Sequence, residues 1–540
     1  MEKIYDYIII GSGFGGSVSA MRLAEKGYSV LVIEKGKKYE AKDFPKTNWN
    51  VRKYLWAPML RCFGFQKIDL FNEVMIFTGV GVGGGSLVYA NTHMFPADAF
   101  FSNPSWQRFG DWKSVLAPFY KTARFMLGSV QYEKMGPEDE ALKEVAKDMN
   151  KEDSFKPVDG VGVFFGDQEK WTDPYFKGLG PERKGCRECA GCMVGCRYHA
   201  KNTLDKNYLW FAQQFGAKVI AETLAEKIEF DNGIYTVHTK SSTAFLGRGR
   251  NVFKSKGLVI SGGVLGTLRL LFQQKFDHKS LPNLSDTLGN SIRTNSESLC
   301  GVGAAKEKMN NGVAISRVFE PDEHTHIELV KYPDGSGLMG KLAVMASGPG
   351  HPIIRTIKTF INTLRHPIYF LRSLFGADFA KNSVILLVMQ SLDNAMKMKW
   401  KRGLFGKKIA FDNKDIKRVP AYIDIGQKVM YKYAEKVDGV PMNALAEVLF
   451  NMSSTAHILG GCPMGETAKE GVVNDKFEVH GYPNMYILDG SIVQGNLGVN
   501  PSLTITALSE YAMSHIPKKE GSTQKSLEEL MRESEQKQVA

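Results

Sequence analysis

The 540-residue chain predicts an α/β fold built on a Rossmann-like layer, and three observations predict it. Residues 4–36 read strand, glycine turn, helix, strand. Residues 79–85 hold five glycines in seven positions between apolar flanks. Near the other end, the short strand Pro483-Asn-Met-Tyr-Ile-Leu-Asp489-Gly490 leads through Gly495-Asn-Leu-Gly-Val-Asn500-Pro501 into a helix at Ser502–Ile516.

The first element, Ile4–Ile10, is β-branched and aromatic, as a strand should be. Gly11-Ser-Gly13-Phe14-Gly15-Gly16 follows as GxGxxG, then helix formers over Ser17–Gly27 and a second apolar strand, Ser29–Ile33, ending in Glu34. The spacing fits dinucleotide binding: Gly11 for the tight turn, Gly13 for backbone approach to a pyrophosphate, Gly16 for helix–strand packing. Glu34 stands where a carboxylate accepts from ribose hydroxyls. A glycine turn without ligand is the plainer alternative, and the motif alone does not separate FAD from NAD. The second cluster, Gly79-Val-Gly81-Val-Gly83-Gly84-Gly85-Ser86, lacks the serine-rich polarity of a linker and reads as backbone packed on a flat or anionic group. In the third piece, a helix start behind glycine-rich backbone can stabilise developing negative charge.

Composition bounds the rest. With 43% hydrophobic and 23% charged residues, the chain is neither disordered, collagenous nor a disulfide scaffold. Its length suggests two or more folded units. Met1 stands almost directly on Tyr7-Ile8-Ile9-Ile10 without a recognisable leader, and no apolar run reaches 18 residues; the best, Ser383–Met389, is strand-sized. A cytoplasmic, reducing location is the default expectation. The charge of +12 leaves nucleic acid, a membrane surface or no partner open.

Three stretches, Tyr5–Gly36, Gly81–Met94 and Ser454–Ile516, together resemble the glucose-methanol-choline (GMC) flavoprotein oxidoreductases, in their cholesterol oxidase-like branch. The resemblance implies FAD, and oxidation of an alcohol, a sterol or steroid ring hydroxyl, by hydride transfer to the flavin. It places the cofactor on Gly11, Gly13, Phe14, Gly15, Gly16, Glu34, Gly83, Gly84, Gly85, Ser86, Asn91, Asp489, Gly490, Asn500 and Pro501. It also implies a catalytic pair, His457 and Asn500, 43 residues apart. Imidazole can take or share the hydroxyl proton, and an amide can hold the substrate oxygen or the flavin edge. Glu328, in Thr325-His-Ile-Glu328, resembles the carboxylate that shifts a double bond by proton transfer; the alternative is a strand glutamate facing solvent or pairing with Lys331. The neighbouring His324 and His326 read as strand or loop residues.

The implied architecture is a discontinuous FAD-binding domain (1–94, 201–300, 454–517) and an α+β substrate domain on an antiparallel sheet (95–200, 301–453). Met396–Lys401 and Gly406–Phe411 read as a hairpin of that sheet. Residues 518–540, with five basic and five acidic side chains, read as a frayed helix or tail.

Cys186, Cys189, Cys192 and Cys196 form C-x2-C-x2-C-x3-C, the spacing that wraps a [4Fe–4S] cluster in bacterial ferredoxins. Structural zinc and packed free thiols are the alternatives, and no proline follows the last cysteine as it does in ferredoxins. A cluster would let electrons leave to a carrier, giving a dehydrogenase for another bulky apolar alcohol; a flavin and iron–sulfur carrier without alcohol chemistry is a further alternative. Cys62, Cys300 and Cys462 read as small buried residues.

Residues 335–377 carry no acid and five basic residues, Lys341, Arg355, Lys358, Arg365 and Arg372; residues 394–411 carry no acid and six. Ile353, Ile357, Ile361 and Leu364 make a helical apolar stripe, continued past Pro367 by Ile368–Leu371 and Leu374-Phe375. Such a segment suits a membrane interface, peripherally at the inner membrane surface, or a cap whose apolar face covers the substrate cavity. No recognition module for nucleic acid accompanies the charge.

Overall fold

Strand Ile4–Ile10 has Ile8 and Ile9 fully buried, so both its faces are covered, as in the centre of a parallel sheet. In the computed structural model, which describes residues 3–245, 248–368, 370–371, 378–403, 406–412 and 420–539, it pairs in parallel with Val30–Ile33 on one side and Asn251–Ile260 on the other. Lys218–Ile220 extends the sheet beyond Val30–Ile33. Besides Ile4–Ile10, the long strand Asn251–Ile260 serves two further partners. Its first half pairs antiparallel with Ile234–Ser241, which meets Thr223–Asp231; its second half pairs in parallel with Met485–Ile487. One sheet thus draws on residues near 4, 30, 220, 260 and 485. Helix Phe14–Glu25 lies on this layer, packed against helix Ser502–Ser514.

A second sheet is antiparallel throughout, in the order 343–345, 440–444, 298–303, 384–390, 325–330, 317–322, 155–157. The apolar run Ser383–Met389, read as strand-sized, falls in strand Val384–Gln390, which is interior to this sheet. A third, small sheet joins Gln66–Leu70, Val74–Gly79 and Ser453–Thr455.

Two expectations change. The hairpin forms, as Met398–Gly403 on Gly406–Phe411, but as a separate two-stranded sheet rather than part of the large antiparallel one. The C-terminal segment is not frayed: Leu527 is buried and its N–H donates to Glu25, which seats helix Leu527–Val539. Helix Pro352–Arg365 turns its apolar stripe outward and buries the opposite side. Arg355 is 1% exposed and pairs with Glu447 at 2.6 Å, while Thr359 and Asn362 donate to the carbonyls of Met345 and Ala346. Ile353, Ile357 and Leu364 face outward, 65%, 53% and 64% exposed. Periodicity located the stripe; a buried ion pair on the opposite side decides which way it points. Arg372, Leu374 and Phe375 lie outside the described residues.

Candidate active site

The glycine turn is shaped by close approach. Gly11 has φ +103°, and a side chain at Gly15 would strike the carbonyl oxygen of Leu488. A methyl at Gly13, by contrast, would meet nothing within 4 Å, so the turn is open where a ligand would approach. Helix Phe14–Glu25 begins there with no side-chain cap and no acid in its first turn, leaving its leading N–H groups available to an anion. Glu34 is buried and accepts from Ser12 N (3.1 Å), Ser12 Oγ (2.8 Å) and Gly36 N (2.8 Å). Ser12 Oγ also reaches Gly81 O at 3.3 Å, so the two glycine clusters meet at this serine. Ser86 Oγ donates to Gly83 O and accepts from Leu204 N, closing the second cluster on itself. Phe14 meets Tyr89 edge-on with centroids 5.5 Å apart.

Beyond the clusters, Asn91 is fully buried at φ +70°, and neither its Oδ1 nor its Nδ2 has a partner. A buried amide left wholly unsatisfied is expensive and points to a missing ligand. Its neighbour Thr92 accepts from Ser502 Oγ at 3.0 Å, which sets this loop at the start of the helix behind Pro501. These groups fit a bound dinucleotide. Asp489 is otherwise engaged: its carboxylate caps Gly490–Ile492 through Ser491 N (2.8 Å) and accepts from Thr267 Oγ1. It shapes the segment that carries Gly490.

The catalytic candidates are each tied to a buried carboxylate. Glu328 is 0% exposed, and Asn500 Nδ2 donates to its Oε2 at 3.2 Å, leaving Asn500 Oδ1 buried without a partner. Glu328 therefore neither faces solvent nor pairs with Lys331, whose ammonium bonds Glu138 at 3.0 Å. His457 also feels the Glu328 charge. Its Nδ1 meets Oε1 of Glu297, a fully buried carboxylate whose Oε2 accepts from Ala456 N at 2.8 Å. Burial opposes a charge on the ring, but Glu297 outweighs it and raises the pKa of His457 above the ordinary histidine value.

Glu297 and its segment were missed by sequence reasoning. Thr294-Asn-Ser-Glu297 is wholly buried, with Asn295 and Ser296 at φ +58° and +46°. Asn295 clamps the other strand of the site, receiving from Gly498 N (2.8 Å) and donating to Val499 O (2.9 Å), while Thr294 O accepts from Thr455 Oγ1 (3.0 Å). One strained run thus positions both His457 and Asn500. The run of five polar residues, Thr294–Ser298, directly ahead of Leu299 was the available signal. His326 was also undervalued: Nε2 lies 3.2 Å from Glu328 Oε1, and Nδ1 lies 3.3 Å from Glu320 Oε1.

Among the described residues no group of three His, Cys, Asp or Glu side chains is placed to hold a metal ion, so the structure lends no support to a [4Fe–4S] cluster on Cys186, Cys189, Cys192 and Cys196. The run is tied down at separate points: Cys186 N to Phe164 O, Ala190 N to Gly312 O, and Cys192 O to the buried Lys201 ammonium. Burial pushes the thiols of Cys186 and Cys189 up and that of Cys192 to about 11, which favours the protonated form. Lys201 spends its three donors on the carbonyls of Leu87, Tyr89 and Cys192, fastening the cysteine run to the second glycine cluster. Cys62, Cys300 and Cys462 are buried.

Comparison with known proteins gives the following. Residues 178–289 and 412–509 match models described as GMC oxidoreductase, and residues 9–39 match an NAD(P)-binding Rossmann-like domain. A cholesterol oxidase of Acinetobacter baumannii is 42% identical over 95% of both chains. One of Mycobacterium tuberculosis is 43% identical over 96% of this chain and 92% of its own. Among solved structures, pyridoxine 4-oxidase from Mesorbium loti matches with a TM-score of 0.60 at 14% identity, over 95% of this chain and 99% of that one; this likeness concerns the fold.

Proposed function

From the premise that this chain belongs to the GMC oxidoreductases, as a relative of the cholesterol oxidases, we propose that it oxidises a sterol ring hydroxyl with FAD and then shifts the adjacent double bond. The observation that carries this reading is the set of buried carboxylates at the catalytic candidates, Glu328 bonded to Asn500 and Glu297 bonded to His457. Gly11, Gly13, Phe14, Gly15, Gly16, Glu34, Gly83, Gly84, Gly85, Ser86, Asn91, Gly490 and Pro501 would hold the cofactor, with Asp489 shaping its segment. FAD, when bound, supplies the hydride acceptor.

The protein residues supply the rest. His457 accepts the hydroxyl proton at Nε2, and Glu297 at Nδ1 fixes the ring's orientation and stabilises the charge it acquires. Asn500 orients the carbinol oxygen through its amide. Glu328 lifts a proton from the α-carbon of the β,γ-enone and returns it to the γ-carbon. The domain limits 1–94, 201–300 and 454–517 for cofactor and 95–200 and 301–453 for substrate belong to this reading. So does a membrane contact. The outward apolar row of Pro352–Arg365, with Phe450 (66% exposed) on the adjoining helix and Lys358 and Arg365 alongside in an acid-free stretch, suits an anionic lipid surface where sterol is found. No helix among the described residues is long and apolar enough to cross a membrane.

The test is anaerobic addition of a 3β-hydroxysterol to the flavin-loaded protein. Bleaching of the flavin absorbance, lost in His457→Ala with flavin content retained, is expected. Equal bleaching in the variant would remove His457 from the chemistry, and no bleaching by any sterol in the wild type would remove the substrate class.

A further inference from the structure

We propose that His326, held between Glu320 and Glu328, is a positioning residue that keeps Glu328 in its charged, proton-accepting form. The inference rests on the reading of Glu328 as the isomerisation base.

His326 and Glu328 are two residues apart on strand Thr325–Val330, so their side chains share one face of the sheet. The imidazole has a carboxylate oxygen at each nitrogen, Glu328 Oε1 at 3.2 Å from Nε2 and Glu320 Oε1 at 3.3 Å from Nδ1. Only the imidazolium can donate to both. Glu320 is itself anchored from the next strand over, by Lys156 at 3.0 Å. The remaining neighbours add no cation at this contact. Leu387 and Met389 stand beside Glu328 and His326 on one flanking strand and Val318 on the other, and Asn500 is neutral. The other titratable group acting on Glu328 is His457, which is committed to Glu297.

Glu328 is completely removed from water, and a buried carboxylate stays charged only where it is paired. His326, 5% exposed, is the pairing cation within hydrogen-bond reach. Burial opposes its protonation, yet the two carboxylates raise its pKa to about 9, and Glu320 is lowered to about 2 chiefly by its bond to His326. The imidazolium therefore persists through the neutral range.

In the isomerisation, the C–H bond at the α-carbon breaks, its electron pair runs into the carbonyl as a dienolate, and an O–H bond forms on Glu328; the same O–H then breaks as C–H forms at the γ-carbon. No electron is gained or lost and no proton is consumed. His326 touches no reacting atom. It holds a positive charge 3.2 Å from Glu328 Oε1.

The experiment follows a 5-en-3-one steroid, supplied directly, as it gains conjugated-enone absorbance, across a pH series with the flavin-loaded protein. His326→Gln keeps a hydrogen-bond donor but loses the charge. Its acid limb is expected at higher pH by about one unit or more, read as roughly a tenfold loss on the acid side that recovers at alkaline pH. Glu320→Gln moves the limb the same way by less. Profiles of His326→Gln that superimpose on wild type, or a loss equal at every pH, would overturn the proposal. Should His326→Gln fail to fold, Glu320→Gln decides by the same criterion. Glu328→Gln separates the two layers. If it isomerises at the wild-type rate, the base assignment falls and this proposal with it; if it is dead while the His326→Gln profile stays put, only this proposal falls.

Discussion

Two histidines, His457 and His326, are each bonded to buried or half-buried carboxylates, and their settings differ. His457 lies on a loop, 12% exposed, with one carboxylate at Nδ1 and its other nitrogen free for substrate. His326 is locked on a strand with both nitrogens taken by carboxylates. The first arrangement suits a ring that gains and loses a proton in each turnover. The second suits a ring that never does. The same side chain is made a catalyst or a fixed charge by the number of acids around it.

The comparison can be broken at three places. His457→Ala should cost about a thousandfold in the rate of flavin reduction by sterol, measured by stopped flow, because it removes the proton acceptor. Glu297→Gln should cost roughly tenfold to a hundredfold, and should also move the acid limb of oxidation to lower pH. The sign follows from the raised pKa of His457: the ring accepts a proton only when neutral, Glu297 favours its charged form, and without that carboxylate burial favours the neutral one. His326→Gln should move the isomerisation limb in the opposite direction by about a unit. A limb that moved the same way in both variants would abolish the distinction between the two histidines. The smallest effect belongs to neither. Ile353→Ser with Ile357→Ser should weaken binding to anionic vesicles severalfold in a sedimentation assay, while unfolding stability stays within about 0.5 kcal/mol of wild type.

What was legible in the sequence was what carries a spacing. The glycine turn and the second cluster are local patterns, and the His457/Asn500 pair was legible through the family resemblance; that Gly81, Ser12 and Glu34 meet is something the structure adds. Glu297 was not legible, because its meaning comes from contacts 160 residues away with His457, and 295–498 pairing has no local signature. His326 looked like an ordinary strand residue because its second partner, Glu320, arrives across a hairpin with a bulge in its register. The cysteine spacing was legible, but spacing alone does not say what the thiols hold: the loop is pinned through Phe164, Gly312 and Lys201, and no metal-holding group is found among the described residues.

Among the described residues, the polar anchors of helix Pro352–Arg365 lie on one side. Arg355 is fastened to Glu447 and Ser347, and Thr356 and Thr359 to backbone carbonyls, while the row of Ile353, Ile357 and Leu364 is exposed. Fold and surface are therefore separable inheritances at this helix. The outer face can drift, or be rewritten by an engineer seeking a freely soluble catalyst, while the anchoring face keeps the helix in place.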